Sequence, residues 1–172
     1  MARGLHWLNA ILALVTILLA YGISGTSRHG APRAVLLMLH GSFGMTILAV
    51  LLVWAGWRLR HPPPPLRPAL SRIEVLLAHA TQAAIFMLFV AMPLTGYATL
   101  AAVGRPVSLF GVAAIPPLLP ASGRLAQAAI ALHLVGQFLI YALVALHVGA
   151  ALVHGFIRRD GILQRMLPSR AP

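Results

Sequence analysis

Between positions 125 and 157 the chain has no Asp, Glu, Lys or Arg, and the same holds for 5–23, 35–57 and 75–102. Each run reaches or exceeds the roughly 20 residues that carry a helix across a hydrocarbon core of about 30 Å. A helix of a soluble protein needs a polar face, and these windows have none. In lipid no water meets an unpaired backbone N–H or C=O, so each run must be helical. The sequence therefore predicts an all-α membrane protein, a four-transmembrane-helix bundle forming a single domain over residues 1–172. Its first partner is the lipid bilayer.

Composition excludes several chemistries. There is no Cys, which removes disulfides, thiolate metal sites and Cys nucleophiles. Glu74 and Asp160 are the only acidic residues, and they lie far apart in sequence, a poor basis for paired-carboxylate hydrolysis. The net charge of +11 does not mark a nucleic-acid binder. Its arginines sit in short segments between apolar runs, where they meet lipid head groups. Counting them sets orientation. With the N-terminus inside, one side holds Arg3, Arg58, Arg60, Arg67, Arg72, Arg158, Arg159, Arg165 and Arg170, and the other Arg28, Arg33, Arg105 and Arg124. The positive-inside rule then places both termini in the cytoplasm. The first run also resembles a signal peptide, but it is long and holds His6 and Trp7, so a retained membrane helix is the expectation.

Three connections join the runs. Residues 24–34 are short and polar. The segment HPPPPLRP within 58–72 cannot continue a helix and predicts an extended strap. The longest connection, 104–124, is apolar (VSLFGVAAIPPLLP) and predicts a segment lying on the bilayer surface or capping the bundle.

The chemistry lies in the histidines. Six of the eight fall in or at the ends of the apolar runs: His6, His40, His79, His133, His147 and His154. A single intramembrane His reads as a helix–helix hydrogen bond; six are a functional signal. Along a helix, the step from His133 to His147 covers about 21 Å and returns to within roughly 40° of the same face. One helix thus presents two imidazoles at two depths. His40, near the outer end of the second run, is level with His133, and His6 is level with His147. His154 lies further out, at the cytoplasmic edge. Two facing imidazoles per level are too few for a structural zinc site. They suit a haem iron with two axial ligands and a largely apolar macrocycle. Gly41, Gly44, Gly136 and Gly149 sit near these histidines, and bare helix surface serves either a flat macrocycle or close helix packing.

Several segments resemble the bacterial cytochrome b561 family: LHWL, LHGSFG, WRLRHPPPP, LLAHATQAAIFMLFVAMPLTGY, SLFG, LHVGAALVH and the RRDGILQRMLP tail. The resemblance covers essentially the whole chain in order. It implies a bacterial inner-membrane protein with two b-type haems, ligated by His6 and His147 on the cytoplasmic side and by His40 and His133 on the periplasmic side. It also implies electron transfer to the quinone pool. The characterised form oxidises superoxide at the periplasmic face and reduces ubiquinone, so the expected donor is superoxide or another one-electron donor. His79 and His154 also match family histidines and are read as non-ligands, candidates for the quinone or its protons. The chain departs from the pattern after His79, where it reads ATQ in place of a further His.

Two alternatives accompany this reading. One is a haem b subunit passing electrons between a hydrogenase or dehydrogenase partner and quinone. The other is a small His-dependent proton or metal transporter, which predicts a colourless protein. The outer arginines read first as propionate partners or surface charge, and second as a field that attracts an anionic donor. Tyr21, Trp54, Trp57, Tyr97 and Tyr141 read as interface anchors or packing. A homodimer is compatible with the apolar outer surfaces.

Overall fold

A computed structural model describes residues 1–27, 30–62 and 70–167. Four long helices dominate it: α1 (Ala2–Ser24), α2 (Ala31–Arg60), α3 (Arg72–Ala101) and α4 (Gly123–Leu152). All four are long and apolar enough to cross a membrane. Their ends follow local chemistry. α2 starts after Gly30 with a proline in its first turn, where the missing N–H costs nothing. α3 starts with a capping box: Ser71 Oγ accepts from the Glu74 N–H at 3.3 Å, and the Ser71 N–H donates to Glu74 Oε2 at 2.8 Å. Ser122 caps α4 by accepting from the Leu125 N–H. The proline-rich segment lies outside the described residues, as do Arg28, His29, Arg67 and Arg170.

α1 packs along α2 and α3 along α4, with a lesser α2–α3 contact; α1 and α4 do not pack closely on each other. The bundle is therefore two helix pairs with a cleft where α4 faces α1 and α2. Small residues bring the pairs together. A Cβ on Gly136 would stand 2.6 Å from Met92 Sδ, so this glycine serves α3–α4 packing and not a bare surface for a macrocycle. Gly44 and Gly149 differ, since a Cβ on either would meet nothing within 4 Å.

The long connection folds into a small antiparallel hairpin, β1 (Val107–Leu109) with β2 (Ala113–Ile115), and caps one end of the bundle. Its tip turns through Phe110 (φ 52°) and Gly111 (φ 76°), closed by the Val112 N–H to the Leu109 carbonyl. Positive φ is unfavourable for Phe. Fully buried Ser42 holds it there: Oγ accepts from the Phe110 N–H at 2.8 Å and lies 2.7 Å from the Met38 carbonyl and 3.1 Å from that of Ser108. Phe110 also meets Phe43 edge to face at 5.3 Å. Tyr97 fastens the far arm, its hydroxyl donating to the Pro116 carbonyl and accepting from the Leu118 N–H.

At the opposite end α4 passes into a π-helical turn (Val153–Arg158), then reverses through Arg159 (φ 51°) and Gly161 (φ 84°). The tail returns to α1, where Trp7 Nε1 donates to the Met166 carbonyl at 2.7 Å and Arg3 Nη1 to the Leu167 carbonyl at 3.2 Å. The N-terminal helix and the C-terminal tail thus share one end. This strap joins α1 to α4 where the helices themselves do not.

Candidate functional site

Two pairs of imidazoles face each other across the cleft. At the hairpin end the rings of His40 (α2) and His133 (α4) have centroids 6.1 Å apart with planes at 73°. At the strap end His6 (α1) and His147 (α4) stand 6.3 Å apart at 62°. A metal bound to an imidazole nitrogen lies about 2 Å from it, and the ring centre about 1 Å further, so two rings on one metal stand about 6 Å apart. Both pairs have that spacing. The step along α4 separates the levels by about 21 Å. No group of three or more His, Asp or Glu able to hold a metal ion occurs among the described residues, which leaves two-ligand coordination as the chemistry of these pairs.

At the hairpin end the surroundings fix which nitrogen is free. His40 Nδ1 lies 3.1 Å from the Thr16 carbonyl, and His133 Nδ1 lies 3.0 Å from the Met92 carbonyl. A carbonyl only accepts, so both Nδ1 atoms carry the proton and both Nε2 lone pairs are left to coordinate. Thr95 Oγ1 lies 3.1 Å from His133 Nδ1 and also donates to the Ala91 and Met92 carbonyls. Gly96 leaves room for the ring, since a Cβ there would stand 3.3 Å from His133 Cε1. Thr16, Met92, Thr95 and Gly96 were not singled out from sequence, because a carbonyl partner leaves no mark in residue type.

The strap-end pair is held differently. Neither imidazole has a hydrogen-bond partner among the described residues. His6 packs edge to face on Trp7 at 5.6 Å, and Trp7 holds the tail. Asn9, one turn along α1 from His6, is buried with Oδ1 unpartnered among the described residues. Such atoms ordinarily find a donor.

The remaining histidines separate. His79 is exposed on α3 and touches neither pair. His154 sits in the π-helical turn, where Nδ1 meets Asp160 Oδ2 at 2.5 Å. That hydrogen bond is the main reason the Asp160 carboxyl is held below the usual carboxylate range, with the Ile162 N–H and Arg158 assisting. Arg158 also pairs with Glu74 on α3. The only two acidic residues of the sequence therefore meet around one arginine. Tyr21 and Tyr141 pack together, their rings stacked at 6.0 Å, and Gln137 donates to the Tyr141 hydroxyl.

Comparison with known proteins agrees with this geometry. The model of a family described as prokaryotic cytochrome b561 matches residues 1–169. The chain belongs to that family. A protein of Yersinia pestis named probable superoxide oxidase CybB is 34% identical over 97% of this chain and 93% of its own length. Cytochrome b561 homolog 2 of Escherichia coli (strain K12) is 33% identical over 96% of this chain and 88% of its own. Cytochrome b561 homolog 1 of the same organism is 28% identical. Membership makes the chain a multi-pass membrane protein of haem b electron transfer. The paired imidazoles, their free Nε2 atoms at the hairpin end and the uncrowded helix surface at Gly44 and Gly149 fit that cofactor.

Proposed function

We propose that residues 1–172 act as one domain that carries electrons across the bacterial inner membrane, from a one-electron donor at the periplasmic face to quinone. The observation that carries this reading is the pair of imidazole couples, each about 6 Å across, at two depths of one bundle. His40 and His133 would hold one haem b, His6 and His147 a second. Haem held by two imidazoles supplies reversible one-electron chemistry with no open iron position.

The protein's own groups do the rest. The carbonyls of Thr16 and Met92 orient the hairpin-end imidazoles. The arginine count places the strap end in the cytoplasm and the hairpin end outside. Exposed Arg105 and Arg124 then flank the outer face and favour approach of an anion. Arg33 is engaged with the Ile23 carbonyl at 2.6 Å. Superoxide is the donor that the Yersinia relative's name supports, with ubiquinone as acceptor at the cytoplasmic end, beside His154. Exposed His79 lies at that end as a second proton source.

A reduced-minus-oxidised spectrum of the purified protein, with the haem-to-protein ratio, tests the first part. Two low-spin b haems per chain are expected, and a colourless protein sinks the reading. Adding a superoxide source and ubiquinone to proteoliposomes tests the second: quinol should form with the protein and not without it.

A further inference from the structure

His154 and Asp160 form a unit that the two haem levels do not use. Asp160 Oδ2 meets His154 Nδ1 at 2.5 Å, and Oδ1 accepts from the Ile162 N–H at 3.2 Å, so the carboxylate is locked in place by its own turn. Arg158 Nε lies 3.9 Å from Oδ2 and its guanidinium pairs with Glu74 on α3. Among the described residues these are the charged groups recorded around the couple: Arg158 from the π-helical turn and Glu74 from α3, with the tail contributing Asp160 itself. Side-chain exposures of 18% for His154 and 12% for Asp160 leave the couple partly open at the strap end. An ionised carboxylate only accepts, so Nδ1 carries a proton and Nε2 is the nitrogen that exchanges. Among the described residues nothing hydrogen-bonds Nε2. When Nε2 also takes a proton, the new positive charge forms against an existing negative one. Loading therefore adds no uncompensated charge at the membrane boundary.

We propose that Asp160 is a positioning residue that makes His154 the proton-loading group for quinone reduction at the strap end. The proposal rests on the quinone reading above. Quinol formation consumes two electrons, arriving singly from the one-electron donor, and two protons. In each proton transfer the Nε2–H bond breaks as an O–H bond forms on a quinone oxygen, and Nε2 is reloaded from cytoplasmic water. Asp160 keeps Nδ1–H fixed throughout and balances the charge of the loaded state.

The test is Asp160→Asn in the full-length, haem-loaded protein in proteoliposomes, with ubiquinone as acceptor. Asn keeps the accepting oxygen and removes the charge. We expect kcat for quinol formation to fall about tenfold at pH 7.5 with KM little changed. The haem-to-protein ratio should stay that of the native chain. Asp160→Glu, which keeps the charge, should recover much of the rate. In 15N-histidine spectra, which read the protonated ring nitrogen, His154 should be in the Nδ1–H form in the native chain and mixed in Asp160→Ala. A native rate in Asp160→Asn overturns the proposal, as does a loss that Asp160→Glu does not recover or one accompanied by haem release, which would make Asp160 a staple of the tail. If the native chain itself forms no quinol, the quinone reading fails and the proposal with it.

Discussion

The two imidazole pairs share a ring spacing and little else. At the hairpin end each Nδ1 is anchored to a backbone carbonyl of a neighbouring helix, and Ser42 locks a folded cap to the same helix as His40. At the strap end neither ring is anchored among the described residues, and α1 reaches α4 through Trp7, Arg3 and the tail. Helices therefore position one pair and a folded terminus positions the other. The hairpin level behaves as a preorganised site, because its second shell sets tautomer and ring angle before any ligand arrives. The strap level depends on a folded terminus in which Arg158 and Asp160 gather beside His154.

Removing one ligand from each level gives the largest effect. If each pair holds one haem, as proposed, His133→Ala should lower the haem-to-protein ratio from about two to about one, and His147→Ala should do the same with loss of the other spectral component. Loss of both components from either variant would break the two-level assignment. A smaller effect comes from crowding the hairpin-end ring alone. Gly96→Val puts a branched side chain where a single Cβ would already stand 3.3 Å from His133 Cε1. Overpacking of this kind costs about 1–3 kcal/mol. Weaker retention of one haem is expected, with the strap-end component untouched in the spectrum.

The cap offers a third contrast. Ser42→Ala leaves the Phe110 N–H without its partner at a residue already held at φ 52°. Losing a hydrogen bond of this kind costs about 0.5–1.5 kcal/mol. Unfolding in detergent should show that loss, and hydrogen exchange should localise it to residues 107–115. Exchange of residues 160–167 should stay as in the native chain. If both ends loosen together, the bundle is one cooperative unit and the contrast between them is wrong.

Much of this was legible before any coordinates. Uncharged runs can only be helices in lipid, so four helices follow from hydropathy, and the step from His133 to His147 places two rings on one face by helix geometry alone. The pairing of His40 with His133 and of His6 with His147 followed from depth, and those are the rings that face each other. What stayed hidden was what depends on backbone atoms or on chain reversal. The carbonyls of Thr16 and Met92 have no residue code. Gly136 was open to either a flat ring or close packing and is packed against Met92, because spacing from a His does not say which neighbour a glycine faces. Asp160 was dismissed as one of two distant acids, yet Arg159 and Gly161 turn the chain so that it meets His154.

The smallest effect concerns the strap's response to acid. Asp160 is ionised in the folded tail and held below the usual carboxylate range, chiefly by His154. A carboxyl with a depressed folded-state pKa adds stability that is fully present above its unfolded value, about 3.9, and is lost as pH falls through the lower folded value. Amide exchange of residues 160–167, corrected for the intrinsic rate, should therefore be flat from neutral pH to about pH 5 and rise only below about pH 4. In Asp160→Asn the same segment should exchange modestly faster at neutral pH and lose the acid step. The hairpin, whose contacts involve no carboxyl group, should show no step in either protein. An acid step at the hairpin as large as that at the tail would mean that the pH dependence belongs to the whole bundle. A step confined to the tail places it at the His154–Asp160 couple.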